Sequence, residues 1–202
     1  MTVSALRSRR AIAAWALLGF AAFTVLPWSF LQQQTLLAGL AGVWGGDATA
    51  SAVVQAAVHG RPWLWVGFAG LLLASAGQLW PVGRRQGALL VAGASLGLIG
   101  LLASGFAIGA PGWSFESLEA LFGPLERGQY GMGWGGFIAL ASLVALLGAG
   151  VARLGYFRSD LFVASSVVAC VALLALFVVY PVTRSLVSAF YDDMGVFSPP
   201  AL

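Results

Sequence analysis

Long apolar runs, broken by short polar or glycine- and proline-rich stretches, dominate the chain from end to end. Five of them are long enough for a helix to cross a hydrocarbon core of about 30 Å at a rise of about 1.5 Å per residue. They cover 11–31, 63–80, 86–110, 132–154 and 161 to about 186. The run Leu161–Val182, LFVASSVVACVALLALFVVYPV, contains no charged residue. None of the five carries a charge near its middle, where one costs roughly 2.5–3.5 kcal/mol on an insertion scale. The pattern predicts an all-α fold: a polytopic integral membrane helical bundle of about five transmembrane helices. It also divides the chain into an N-terminal segment 1–10, a four-helix membrane region 11–154, and a fifth span with its exit at 161–202.

The connections are of two kinds. Two are short and basic, Pro81-Val82-Gly83-Arg84-Arg85 and Gly155–Asp160, the latter just after Arg153. Two are longer and poor in arginine, Gln32–Pro62 and Pro111–Gly131. Arg7, Arg9, Arg10, Arg84, Arg85, Arg153 and Arg158 fall on one side of an alternating topology, against Arg61, Arg127 and Arg184 on the other. The arginine-rich side of a membrane protein faces the cytoplasm. The N-terminus is therefore expected in the cytoplasm and the C-terminus in the periplasm, as for a multi-pass protein of the bacterial inner membrane. Acidic residues follow the opposite bias: only Asp160 falls on the inner side, whereas Asp47, Glu116, Glu119, Glu126, Asp192 and Asp193 fall outside. The first run has the basic start of a signal peptide, but its apolar part exceeds the usual 7–15 residues. It is expected to remain as an anchor.

Within the outer connections, Phe115, Leu118, Leu121 and Phe122 share one helical face, with Glu116 and Glu119 off it, and Gly123-Pro124 ends the run. This predicts a short amphipathic helix at the outer surface, with Ser114 as its N-cap. A second short helix is expected over 48–58. Pro27-Trp28-Ser29-Phe30 and Trp65-Val66-Gly67-Phe68 have counterparts in Gly112-Trp113-Ser114-Phe115 and Trp134-Gly135-Gly136-Phe137, a weak repeat of one in–out–in hairpin.

Composition sharpens the class. Of 202 residues, 60% are hydrophobic and 8% are charged, far below the roughly one quarter charged of soluble domains. The net charge of +3 comes with no lysine. It carries topology information and leaves nucleic-acid binding without support. Lipid is as apolar as leucine, so spanning helices associate where small side chains let backbones approach. Gly93, Gly97, Gly105 and Gly109 form such a stripe in the third run, with Gly100 and Ser104 beside it. Gly136, Gly148, Ala149 and Gly150 supply small positions in the fourth.

Candidate chemistry is sparse. Cys170 sits between Ala169 and Val171 without polar neighbours, and is expected to pack as a small apolar side chain. His59 is the single histidine and is expected to face solvent in an outer loop. No P-loop or dinucleotide fingerprint is present, and no acid or base lies deep in a run. No catalytic residue, metal or cofactor is assigned, and no enzymatic activity is expected. Asp192 and Asp193 form the one acidic pair, expected to be a solvated helix exit.

The segment Leu173–Leu202 resembles the first core helix and outer exit of a binding-protein-dependent ABC transporter permease of the ferric-iron importer type. Tyr180, Pro181, Ser188, Phe190, Asp192, Asp193, Gly195, Phe197 and Ser198 carry the resemblance, which covers about 30 residues. The family's cytoplasmic Glu-Ala-Ala loop, which docks on the ATPase, has no counterpart. Glu119-Ala120-Leu121-Phe122-Gly123 differs in spacing and falls on the outer side. The resemblance implies an N-terminal portion of a longer permease, four leading helices and then the first core helix. Its implied partners are membrane lipid, an ATPase subunit, a periplasmic binding protein and further permease segments. The alternative is a small multi-pass membrane protein of structural or assembly role without transport activity. The reading frame beyond Leu202 distinguishes the two.

Overall fold

A computed structural model describes residues 3–30, 40–45, 49–108, 112–125 and 131–190. The elements in chain order are α1 (Val3–Val25), β1 (Ser29–Phe30), α2 (Ala52–Ala57), α3 (Leu64–Ala76, prolonged by a 3-10 turn Gly77–Leu79), α4 (Arg84–Ala107), α5 (Glu116–Phe122), β2 (Gly131–Met132), α6 (Trp134–Arg153) and α7 (Leu161–Ser188). Helix dominates. The one described ladder pairs Ser29 with Met132 and Phe30 with Gly131, antiparallel.

Helices α4, α6 and α7 are long and apolar enough to cross a membrane; Leu64–Leu79 is apolar but shorter. The boundaries differ from the apolar runs for identifiable reasons. Helix α1 stops at Val25 because the residue before Pro27 is pushed out of the helical region. The remainder of the run turns into β1. The same helix reaches back through Arg7, Arg9 and Arg10, so those arginines are helical rather than part of a tail. Trp80, ahead of Pro81, is extended and closes α3. Arg84 and Arg85 belong to the first turn of α4, not to a loop. Met132 lies in β2, so α6 starts at Trp134.

Compact packing divides the chain into two units, Met1–Leu101 with Tyr130–Ala169, and Leu102–Gln129 with Cys170–Leu202. The first is an up-down-up-down ring of α1, α3, the body of α4, and α6. Its seams are visible where glycines meet neighbours. A methyl built on Gly67 would press on the Phe23 ring at 2.9 Å, which joins α3 to α1. On Gly93 it would overlap the Ala74 nitrogen and meet the Gly70 carbonyl oxygen at 2.6 Å, which joins α4 to α3 backbone to backbone. On Gly150 it would meet Leu90 Cβ at 2.9 Å, joining α6 to α4, and on Gly135 the Ala22 carbonyl oxygen at 2.9 Å, joining α6 to α1. The axis is filled by Ile12, Phe23, Leu71, Leu90, Leu143 and Leu146, all buried. Helix α2 and the β1–β2 ladder close one end.

The start of α7 lies against α6, where a methyl on Gly148 would meet Ser165 Cα at 2.6 Å. Asp160 caps α7: its carboxylate accepts the Phe162 and Val163 N–H groups at 2.9 and 3.1 Å. Gly155, at φ 101°, ends α6, and three consecutive non-glycine residues, Phe157, Arg158 and Ser159, follow with positive φ. Such a run costs roughly 1–2 kcal/mol per residue and makes an unusually sharp reversal between α6 and α7.

In the second unit, α5 ends at Gly123, whose φ of 82° suits glycine. The Ser114 N–H is held by the Ala107 carbonyl, and Phe115, not Ser114, occupies the N-cap, without a side-chain cap bond. The Trp113 and Phe122 rings stack at 5.6 Å, and the Trp113 indole N–H donates to the Gly123 carbonyl at 2.8 Å, folding α5 back on its own approach. Leu121 remains exposed.

Candidate functional site

The residues of the permease-like exit lie in the second unit. Proline lacks an N–H and its ring clashes with the carbonyl four residues back, here Phe177. The helix takes up this defect as a π turn, Ala175–Val179, directly before Tyr180-Pro181. The wider turn keeps the helix continuous and rotates the residues beyond it. Tyr180 then reaches the end of α4: its ring lies 4.7 Å from that of Phe106, and its hydroxyl donates to the Gly105 carbonyl at 3.4 Å. One turn later Arg184 donates to the Phe106 carbonyl at 2.9 Å. The final carbonyls of a helix have no intrahelical partner and carry partial negative charge. Arg184 thus caps α4 from a neighbouring helix.

The other exit residues do less. Ser188 Oγ donates to the Ser185 carbonyl at 2.9 Å, a local bond of the last turn. The Phe190 N–H closes on the Val187 carbonyl, and its ring is exposed. Asp192 and Asp193 lie outside the described residues, as does Gly109.

The remaining glycines of the stripe differ from one another. Gly93 makes backbone contact with α3. A side chain at Gly97 would meet the Leu143 methyls at 2.9 and 3.0 Å. Gly105 has room, its nearest neighbour being the Tyr180 hydroxyl at 3.8 Å. Gly105 therefore offers its carbonyl, not its missing side chain.

Sequence reasoning passed over two buried polar groups. Gln55, wholly buried in α2, donates to Ser29 Oγ at 3.3 Å and to the Ala50 carbonyl at 3.0 Å, while its Oε1 accepts from Arg61 at 2.9 Å. Its own carbonyl accepts the N–H groups of His59 and Arg61, each at 3.2 Å. This network ties β1, α2 and the approach to α3 together at the closed end. His59 is half-buried at its edge rather than solvent-facing. Gln86 is the second group, wholly buried in the first turn of α4. A glutamine inside an otherwise apolar run is the signal that would have found both.

Chemically, these arrangements position helices. Among the described residues, no three of His, Cys, Asp and Glu come together as a metal site would need. Cys170 is exposed on the apolar surface of α7. No protein-family model, curated protein or solved structure matches the chain.

Proposed function

We propose that the chain is a five-span membrane component of an ATP-driven importer, in which the first four helices form a scaffold and α7 is the helix committed to the transport assembly. The observation that carries this is the contrast in burial. Helix α6 is about half buried within the chain, whereas α7, the longest apolar helix, has Ala164 as its one buried residue. It also carries a π turn and a proline, features that recur where helices do functional work. The scaffold role follows from the filled axis of the ring, which leaves no passage between α1, α3, α4 and α6.

Five crossings are supported by packing. Helices α1 and α3 lie antiparallel beside α4 and α6, so they must pass through the layer that α4 and α6 pass through. The ends of the ring agree with the arginine bias: Arg9, Arg84, Arg85 and Arg153 gather at one end, which we place in the cytoplasm of a bacterial cell. Substrate identity, ferric iron included, rests on the resemblance of the exit segment alone.

The test is purification of the chain in mild detergent from membranes of cells expressing it at native level, followed by assay of ATP hydrolysis. Recovery of an ATPase subunit and vanadate-sensitive hydrolysis, stimulated by a periplasmic binding protein, is the expected result. A chain recovered without further membrane segments or ATPase would leave the purely structural reading in its place. Periplasmic reporter activity at Asp47 checks the orientation separately.

A further inference from the structure

The arginine-rich end of the four-helix ring contains an arrangement that neither topology nor packing explains. Arg10, Arg84, Arg85 and Arg158 are exposed there, but Arg9 and Arg153 are half-buried and close enough to repel one another. Arg153 Nη2 donates to Ser8 Oγ at 2.6 Å, and Arg9 Nη2 donates to the Gln78 carbonyl and, at 3.5 Å, to that of Trp80. Neither guanidinium has a carboxylate partner among the described residues. The one described acid at this end, Asp160, is engaged in capping α7. Arg153 Nε is buried with no acceptor.

Gln86 is at the same junction. Its backbone carbonyl lies 3.3 Å from where a Gly77 side chain would begin, and the next residue, Gly87, is in contact with Arg153. Gln86 is wholly buried, and both its Oε1 and Nε2 lack partners. Leaving a buried donor unpaired costs about 1–3 kcal/mol, and two like charges held together cost more. An anion would relieve both. Arginine pairs match phosphate oxygens in geometry and charge.

We propose that this junction seats the phosphate of an anionic phospholipid headgroup, gripped by Arg9 and Arg153, with Gln86 and Ser8 as neutral partners. The lipid source is favoured over a soluble phosphate because exposed apolar surface runs away from the junction. Trp15, Leu17 and Leu18 on α1 and Trp80 beside α3 are all open, ready to contact acyl chains. Basic pockets between helices on the cytoplasmic side suit such headgroups. The inference rests on the chain lying in a bilayer, not on its being a permease.

The experiment follows the thermal stability of the detergent-purified full chain on addition of phosphatidylglycerol, phosphatidylcholine, or inorganic phosphate at matched ionic strength. A ligand that binds only the folded state raises the melting temperature. A rise is expected with phosphatidylglycerol alone. It should shrink by about half or more in Arg9→Gln and Arg153→Gln and persist in Arg84→Gln and Arg85→Gln. Equal losses in all four variants would reduce the site to a diffuse positive field and overturn the proposal, as would equal rises with the two lipids. An equal rise with inorganic phosphate would overturn the lipid source. Should Arg153→Gln fail to fold, native mass spectrometry of Gln86→Leu decides: loss of the phosphatidylglycerol adduct supports the site, and undiminished retention refutes it.

Discussion

The seam between α3 and α4 offers the sharpest test of how the ring is held. A methyl at Gly93 would overlap the Ala74 nitrogen and lie 2.6 Å from the Gly70 carbonyl oxygen, where ordinary contact begins near 3.4 Å. Both obstacles are backbone, so no rotamer change removes them. The helices must part by most of an ångström. A gap of about 0.5–1 Å forfeits a quarter to a half of each dispersion contact across it, and Leu71, Ala74, Leu90 and Ala94 line this seam. Overpacking of this kind costs about 1–3 kcal/mol, offset in part by the roughly 1 kcal/mol that alanine gains over glycine in a helix. We expect Gly93→Ala to be destabilised by about 1–2 kcal/mol. Gly97→Ala should be milder, because the Leu143 methyls can move, and Gly97→Leu severe, because Leu143 must be displaced. Gly105→Ala should be neutral or slightly stabilising, since its surroundings have room. The assay is unfolding in mixed micelles of rising SDS fraction, followed by tryptophan fluorescence. If Gly93→Ala and Gly105→Ala unfold at the same SDS fraction, backbone contact does not set the stability of this seam.

Three further expectations follow from the polar contacts. Replacing Gln55 by leucine removes three side-chain bonds at the closed end and strips Arg61 of an acceptor; a loss of about 2–3 kcal/mol is expected, read in the same unfolding assay, and an unchanged midpoint would contradict the network. Arg184→Gln should free the Phe106 carbonyl and raise hydrogen exchange in the last turn of α4, with global unfolding little changed. Pro181→Ala should let the π turn relax to a regular helix and rotate Tyr180 away from Phe106; disulfide trapping between cysteines placed at 106 and 180 should then fall several-fold.

How much of this was readable in the chain depends on which interactions are local. Apolar length marks membrane-competent helices because a hydrocarbon layer demands a run of about 20 residues whatever surrounds it. The runs ending in α4, α6 and α7 were therefore visible, and so were their approximate limits. The proline at 27 was equally visible, yet its effect was underweighted: it ended α1 early and released Ser29-Phe30 to pair with a partner about a hundred residues away. That pairing has no local signature. The same holds for Gln86 and Gln55, whose side chains could be seen but whose burial could not.

The sequence by itself determined the apolar segments, their breaks at proline and glycine, and the gathering of arginine toward one side, because each is a property of a residue and its immediate neighbours in a given solvent. Only the tertiary structure decided that Gly93 faces Gly70 and Ala74 while Gly105 faces open space, and that Arg184 caps α4 rather than marking an outer loop. It likewise decided that Arg9 and Arg153 converge without an acid between them. Those outcomes depend on which helices become neighbours, and steric fit between distant backbones, not the chemistry of any single segment, selects them.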